Sequence, residues 1–218
     1  MKSLSTACAL ALGLAFAATA PATLAQPAQA ATSAPAAAPA APQLHAALRS
    51  LWHGHLVATR DYALAVHAGD KAGEKKAADA VVANAKQISD AVAGFYGKDA
   101  GAGLLKLLAG HWGGVKALTD ATKAGSKAGE QKAMDDLASN ATAIAKFLAG
   151  ANPNWTEGTL QGALMMHVND HKTQIDEMMS NAPEAEQAKS WAGMQQHMDM
   201  IADVLASGIA KQFPNKAH

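Results

Sequence analysis

The fold of this chain is decided by two near-identical stretches that lie 56 residues apart, GDKAGE at 69–74 and GSKAGE at 125–130. In each stretch the first glycine is typical of a helix end, and the Asp or Ser that follows it is typical of the residue that caps the next helix. Each stretch therefore predicts the turn of a helical hairpin. Because the turn recurs at a fixed distance, the whole hairpin is predicted to be a repeated unit.

The repeat covers two complete hairpins and has a diverged third copy at best. Residues 43–98 and 99–154 align without a gap, and 20 of the 56 aligned positions are identical, whereas the next segment shares only 7 with the second. Good helix formers dominate after residue 42, and no run alternates like a strand. We predict an all-α bundle of three helical hairpins, with six helices over roughly 43–68, 71–94, 99–124, 127–150, 156–180 and 184–212.

The N-terminus has the features of a secretory signal peptide. A short start that contains Lys2 precedes an apolar run from Leu4 to Ala20, and small residues before Gln26 favour cleavage after Ala25. The run is shorter than the roughly 20 residues that span a bilayer, and no other segment comes close, so the mature chain is expected to have no integral membrane segment. A signal peptide over 1–25 predicts a periplasmic or secreted protein.

Composition divides the remaining chain into a linker and one domain. Residues 26–42 are rich in Ala and Pro and predict a disordered tether, while 43–218 has the length of one helical-bundle domain. The single cysteine, Cys8, lies within the predicted signal, so thiol chemistry and thiolate metal sites are excluded from the mature protein. Without Lys2 the chain carries 17 Lys and Arg against 18 Asp and Glu. This balance argues against nucleic acid as a partner.

Three histidines share one register in the three units, since His55, His111 and His167 are spaced by 56 residues. Each lies within an apolar seam on the first helix of its unit, and burying an unpartnered imidazole costs a few kcal/mol. Structural hydrogen bonds to carbonyls, hydroxyls or a buried Asn would meet that cost. If the hairpins pack around a pseudo-threefold axis with their first helices inside, the three rings would instead converge and suit a metal ion such as Cu or Zn.

Two further histidines are weaker candidates. His171 follows His167 by four residues, a spacing that allows two imidazoles to bind one metal ion. His197 belongs to the same hairpin, in which methionines are abundant. Thioether and imidazole ligands together would suit Cu(I). The competing interpretation is that these methionines are adaptable core residues.

Patterns that identify a catalyst are missing from the sequence. We find no Gly-rich phosphate loop, no nucleophile elbow, and no Glu-x-x-His pair of the kind that builds a di-iron bundle. The leading hypothesis is a non-enzymatic exported protein that binds Cu or Zn through core histidines. The first alternative is a structural or interaction module with a protein partner in the cell envelope and no metal. The second is a metal-dependent hydrolase or transferase, which needs an open coordination position and a nearby base.

A set of motifs resembles a family of small bacterial helical-bundle proteins known chiefly from spore-forming bacteria. The motifs are LWxxHxxxTR at 51–60, NPxW at 152–155, the histidine at 167 and GIxxQFP at 208–214. The resemblance covers nearly the whole mature domain and implies a helical bundle, but no established activity. His171 does not belong to the family pattern. A fainter geometric similarity is to DinB-type bundles, which bind metal through three histidines, two of them four residues apart.

Overall fold

The computed structural model describes residues 41–217, and this part of the chain is an all-α bundle without strands, as the sequence predicts. None of its helices combines the length and the apolarity needed to cross a membrane. The predicted signal peptide and nearly all of the predicted linker lie outside the described residues. The six helices are α1 (Pro42–Ala68), α2 (Lys71–Tyr96), α3 (Lys98–Lys123), α4 (Lys127–Ala151), α5 (Glu157–Met179) and α6 (Glu184–Gln212).

The two repeated stretches form the turns that the sequence predicts. Asp70 caps α2, because its side chain accepts hydrogen bonds from the backbone N–H groups of Ala72 and Gly73 at 3.1 and 3.0 Å. Ser126 caps α4 through one such bond, because its hydroxyl accepts from the backbone N–H of Gly129 at 3.2 Å. The glycine before each cap lies in the left-handed region, with φ of 72° at Gly69 and 67° at position 125, a conformation that favours glycine.

The first helix starts slightly earlier than predicted. The sequence places Pro42 in the linker, but in the structure Pro42 is the first residue of α1. Proline is tolerated there because the N–H groups of the first turn have no partner within the helix.

The hairpins close into a ring. Each helix packs against the next along the chain, α6 returns to pack against α1, and α1, α3 and α5 also contact one another. The first helices of the three hairpins therefore lie inside, around a pseudo-threefold axis. This arrangement is a closed bundle, in which side chains on the inner faces of three helices meet in the core.

The first two hairpins share a polar contact that holds the inner helix against its partner. The Asn84 side-chain amide donates to the carbonyl of Leu51 at 2.9 Å, and Asn140 donates to Leu107 at 3.0 Å. A Cβ on Gly54 would lie only 2.8 Å from the Asn84 amide nitrogen. The repeated glycine therefore allows the asparagine to approach, which explains why both residues recur.

The NPxW and GIxxQFP motifs meet in space at the closure of the ring. Trp155 is buried and donates from Nε1 to the carbonyl of Val204 on α6 at 3.1 Å. Its indole lies against the backbone of Gly208, where any Cβ would overlap the ring. Together the two motifs lock α6 onto the segment that precedes α5.

We expect Gly208→Ala to lower the free energy of unfolding by about 1–3 kcal/mol, because the new methyl group displaces the Trp155 indole. Urea denaturation followed by circular dichroism measures the change. Gly162→Ala is the matched control, since a Cβ there meets open space within α5, and it should stabilise the helix by about 0.5–1 kcal/mol. Equal stability of the two variants would contradict this packing.

Candidate metal centre

Four histidines meet in the core of the bundle. His55 lies on α1, His111 on α3, and His167 and His171 both lie on α5. One ring nitrogen from each histidine can be chosen so that the four nitrogens all lie within 4.8 Å of one another. The structure thus brings together the three histidines that share the 56-residue register, and it adds His171 as a fourth.

The four rings surround a common centre rather than stacking in a row. The ring centroids of His167 and His171 are 4.4 Å apart, and the other five pairs are separated by 5.5 to 5.7 Å. Six nearly similar separations among four points describe a distorted tetrahedron. All four residues are buried, with exposures of 4–6%.

Local contacts fix the backbone that carries these rings. The hydroxyl of Thr59 donates to the carbonyl of His55 at 2.9 Å. The carbonyls of Leu51 and Leu107, which Asn84 and Asn140 bind, each lie one helical turn before a cluster histidine. On α5 the four-residue spacing alone places two rings on one face. The asparagines therefore position inner helices through their side-chain amides.

The imidazoles are held in their neutral form. Burial, followed by repulsion from His111, lowers the pKa of His55 to about 3, and burial lowers that of His111 to about 4. The pKa values of His167 and His171 also lie well below the ordinary value, chiefly because of burial and then because of the neighbouring histidines. Neutral imidazole is the form that binds a metal ion.

Two ring nitrogens of the cluster lack the protein partners that a purely structural role requires. His111 Nε2 and His167 Nδ1 are buried without a hydrogen-bond partner. The one hydrogen-bond contact between rings joins Nε2 of His167 to Nε2 of His171 at 3.0 Å. The side-chain amides of Asn84 and Asn140 donate to helix carbonyls and not to the histidine rings.

The distances fit a single metal ion. With metal–nitrogen bonds of about 2.0–2.1 Å, two nitrogens of a tetrahedral site are about 3.3 Å apart, and two at a right angle are about 2.9 Å apart. The 3.0 Å between His167 and His171 falls near these values. The most widely separated nitrogens, at up to 4.8 Å, would have to approach by ring rotation. Nitrogen-only ligands suit copper and zinc.

Two further polar side chains, His197 and Arg60, have partners outside the histidine cluster. His197 lies outside the cluster and contacts Asp170 through Nδ1 at 2.8 Å. Asp203, on α6, pairs with Arg49 and His45 and not with Arg60. Arg60 instead donates to Gln174 at 3.3 Å, and its guanidinium lies 4.6 Å from the Trp191 ring centroid.

The methionines of the third hairpin behave mainly as core residues. Met178, Met194 and Met198 are almost completely buried among apolar neighbours, whereas Met166 and Met200 are about half exposed. Their abundance is explained by packing, because methionine fills irregular spaces between helices. The histidine cluster itself offers four imidazoles, and Met198 and Met194 line the cavities beside it.

Two cavities that sequence reasoning missed reach the histidines. The larger is lined by His55, His111 and His167 together with apolar side chains, and the smaller, of about 10 Å³, is lined by His171, Arg60 and other residues. No spacing rule signals either cavity, because each arises where side chains from separate helices fail to fill the space between them.

Comparison with protein-family models, with curated proteins and with solved structures finds no match for this chain.

We expect the metal-free protein to lose stability as the pH falls below about 6.5, the ordinary pKa of histidine in the unfolded chain. The folded pKa of His111 is lower, at about 4, so the unfolded state binds the proton first. The stabilisation is complete above pH 6.5 and is lost on acidification, by about 1.4 kcal/mol per pH unit for each such histidine.

Urea unfolding across this pH range measures the slope. His111→Phe should reduce the slope by about 1.4 kcal/mol per pH unit, whereas Leu118→Ala should lower stability equally at every pH. Parallel curves for the wild type and His111→Phe would contradict the buried neutral state.

Proposed function

We propose that this protein binds one copper or zinc ion in its core through His55, His111, His167 and His171. The observation that carries the proposal is the convergence of four buried imidazoles from three helices, with ligand nitrogens within 4.8 Å of one another. Such convergence needs a closed ring with the register of three helices matched, which chance burial of single histidines does not supply.

The cost of the arrangement favours a ligand over a purely structural role. Burying a polar group without a hydrogen bond costs about 1–3 kcal/mol in proteins, and His111 Nε2 and His167 Nδ1 are both in that state. Apolar side chains at these seam positions would pack without such a cost. A metal ion gives a reason for retaining imidazoles there, because each bound nitrogen gains a strong partner.

The surroundings favour copper as Cu(I) over a divalent ion. The four ligands are uncharged, and no carboxylate belongs to the cluster. The cost of moving an ion out of water rises with the square of its charge, so a monovalent ion is buried more cheaply among neutral ligands. Zinc remains the second candidate, because imidazole nitrogen is one of its ordinary ligands.

Binding is favoured over hydrolysis. A metal-dependent hydrolase needs a base beside the metal-bound water. Of the described residues that line the two cavities, none is an Asp or a Glu. The site is therefore suited to holding an ion, or an ion with a small ligand, rather than to activating water.

Metal analysis of protein purified without a His tag tests the proposal. After loading with Cu(I) or Zn²⁺ and desalting, we expect one ion for each wild-type chain and an affinity more than about tenfold weaker in His111→Ala. His67→Ala is the control, because His67 lies outside the cluster and contacts Asn181. Equal metal content in the wild type and His111→Ala would remove the proposal.

We also propose that the protein acts in the periplasm or outside the cell, on the basis of the signal-like sequence of residues 1–25. N-terminal sequencing of protein from the cell envelope or medium should find a mature chain that begins near Gln26. Recovery from the cytoplasm with residues 1–25 retained would contradict export.

A further inference from the structure

A cavity lies along the pseudo-threefold axis, directly beside the histidine cluster. Its lining contains equivalent residues from all three hairpins, with Leu48, Leu104 and Leu160 in one layer and three histidines in another. The leucines share the 56-residue register of the histidines, and each lies seven residues, or about two helical turns, before its histidine. The cavity and the cluster are therefore successive layers of the same axial core.

The size and the apolar lining of the cavity indicate which kind of molecule it can hold. The cavity has a volume of about 50 Å³, and apart from three imidazoles and the indoles of Trp52 and Trp155 its lining is aliphatic or thioether. A water molecule needs about 10–15 Å³ and two to four polar partners. Water would fit by size but would find few partners. Apolar cavities of about 150 Å³ stay dry and bind benzene or xenon, so this smaller one suits a molecule of about two heavy atoms.

We propose that the cavity binds a small apolar diatomic gas such as dioxygen and holds it next to the metal ion. The inference rests on the proposed metal site. His55, His111 and His167 line the cavity, so a gas molecule within it contacts the rings that would hold the ion. His171 instead lines the smaller cavity beside Arg60 and Gln174. The apolar cavity is therefore the one suited to a gas molecule, whereas the polar side chains of Arg60 and Gln174 line the smaller cavity.

Xenon is the probe for the cavity, because its binding requires no metal. Xenon titration of the metal-free protein, followed by ¹²⁹Xe NMR, should show one saturable site. Leu104→Phe fills the cavity and should weaken xenon binding by about tenfold or more. Leu118→Phe is the matched control, because Leu118 is equally buried on the same helix but does not line the cavity. It should bind xenon as the wild type does.

Ala163→Leu gives a second way to fill the cavity if Leu104→Phe does not fold. Ala163 lines the cavity from α5 and is only partly buried, so the added side chain is more easily accommodated. Carbon monoxide added to Cu(I)-loaded protein then tests contact with the metal. We expect a C–O stretching band from carbon monoxide that replaces the imidazole of His171 on Cu(I), since His171 is the one cluster histidine that does not line the cavity. We expect the filling variant to weaken that band while the metal content stays unchanged.

The outcomes separate this inference from the proposed function. Full metal loading without xenon binding, or a carbon monoxide band unchanged by the filling variant, would overturn the gas site alone. Xenon binding without metal loading would overturn the proposed function, and with it the delivery of gas to a metal. Saturable xenon binding, metal loading and a weakened band in the filling variant would support both.

Discussion

Four neutral imidazoles are buried together in one apolar core, and this burial limits how the inner helices can pack. Three inner helices must meet with matched register for His55, His111 and His167 to reach one point. The return of α6 onto α1 and the tight packing of Trp155 against Gly208 close the ring that holds these inner helices together. A single helix shifted by one residue would rotate its histidine by about 100° and remove it from the cluster.

The third hairpin departs from the repeat where it contributes most to the site. The first two hairpins use asparagine and glycine to hold the inner helix, whereas the corresponding positions in the third are Gln196 and Met166. The third hairpin supplies two histidines to the cluster, whereas each of the other hairpins supplies one. The pseudo-threefold symmetry gives the cluster its position, and the departure from symmetry gives it a fourth ligand.

Most of the fold could be predicted from local sequence, because helix ends depend on capping chemistry at residues such as Asp70 and Gly69. The common register of three histidines likewise pointed to the cluster. The partners of Arg60 could not be predicted, since they depend on how α1 packs against α5 and α6. Membership of His171 was weakly signalled by its four-residue spacing, and the axial cavity was not signalled at all, because voids depend on packing among several helices.

X-ray diffraction at the absorption edge of copper or zinc, from crystals of the metal-loaded protein, would locate the bound ion. We expect one anomalous peak in the core, with a nitrogen atom of each of the four clustered histidines at about 2.0–2.1 Å from the zinc ion and at similar distances from copper. An anomalous peak only at surface residues such as His53, with the core rings bonded to protein groups, would contradict this expectation.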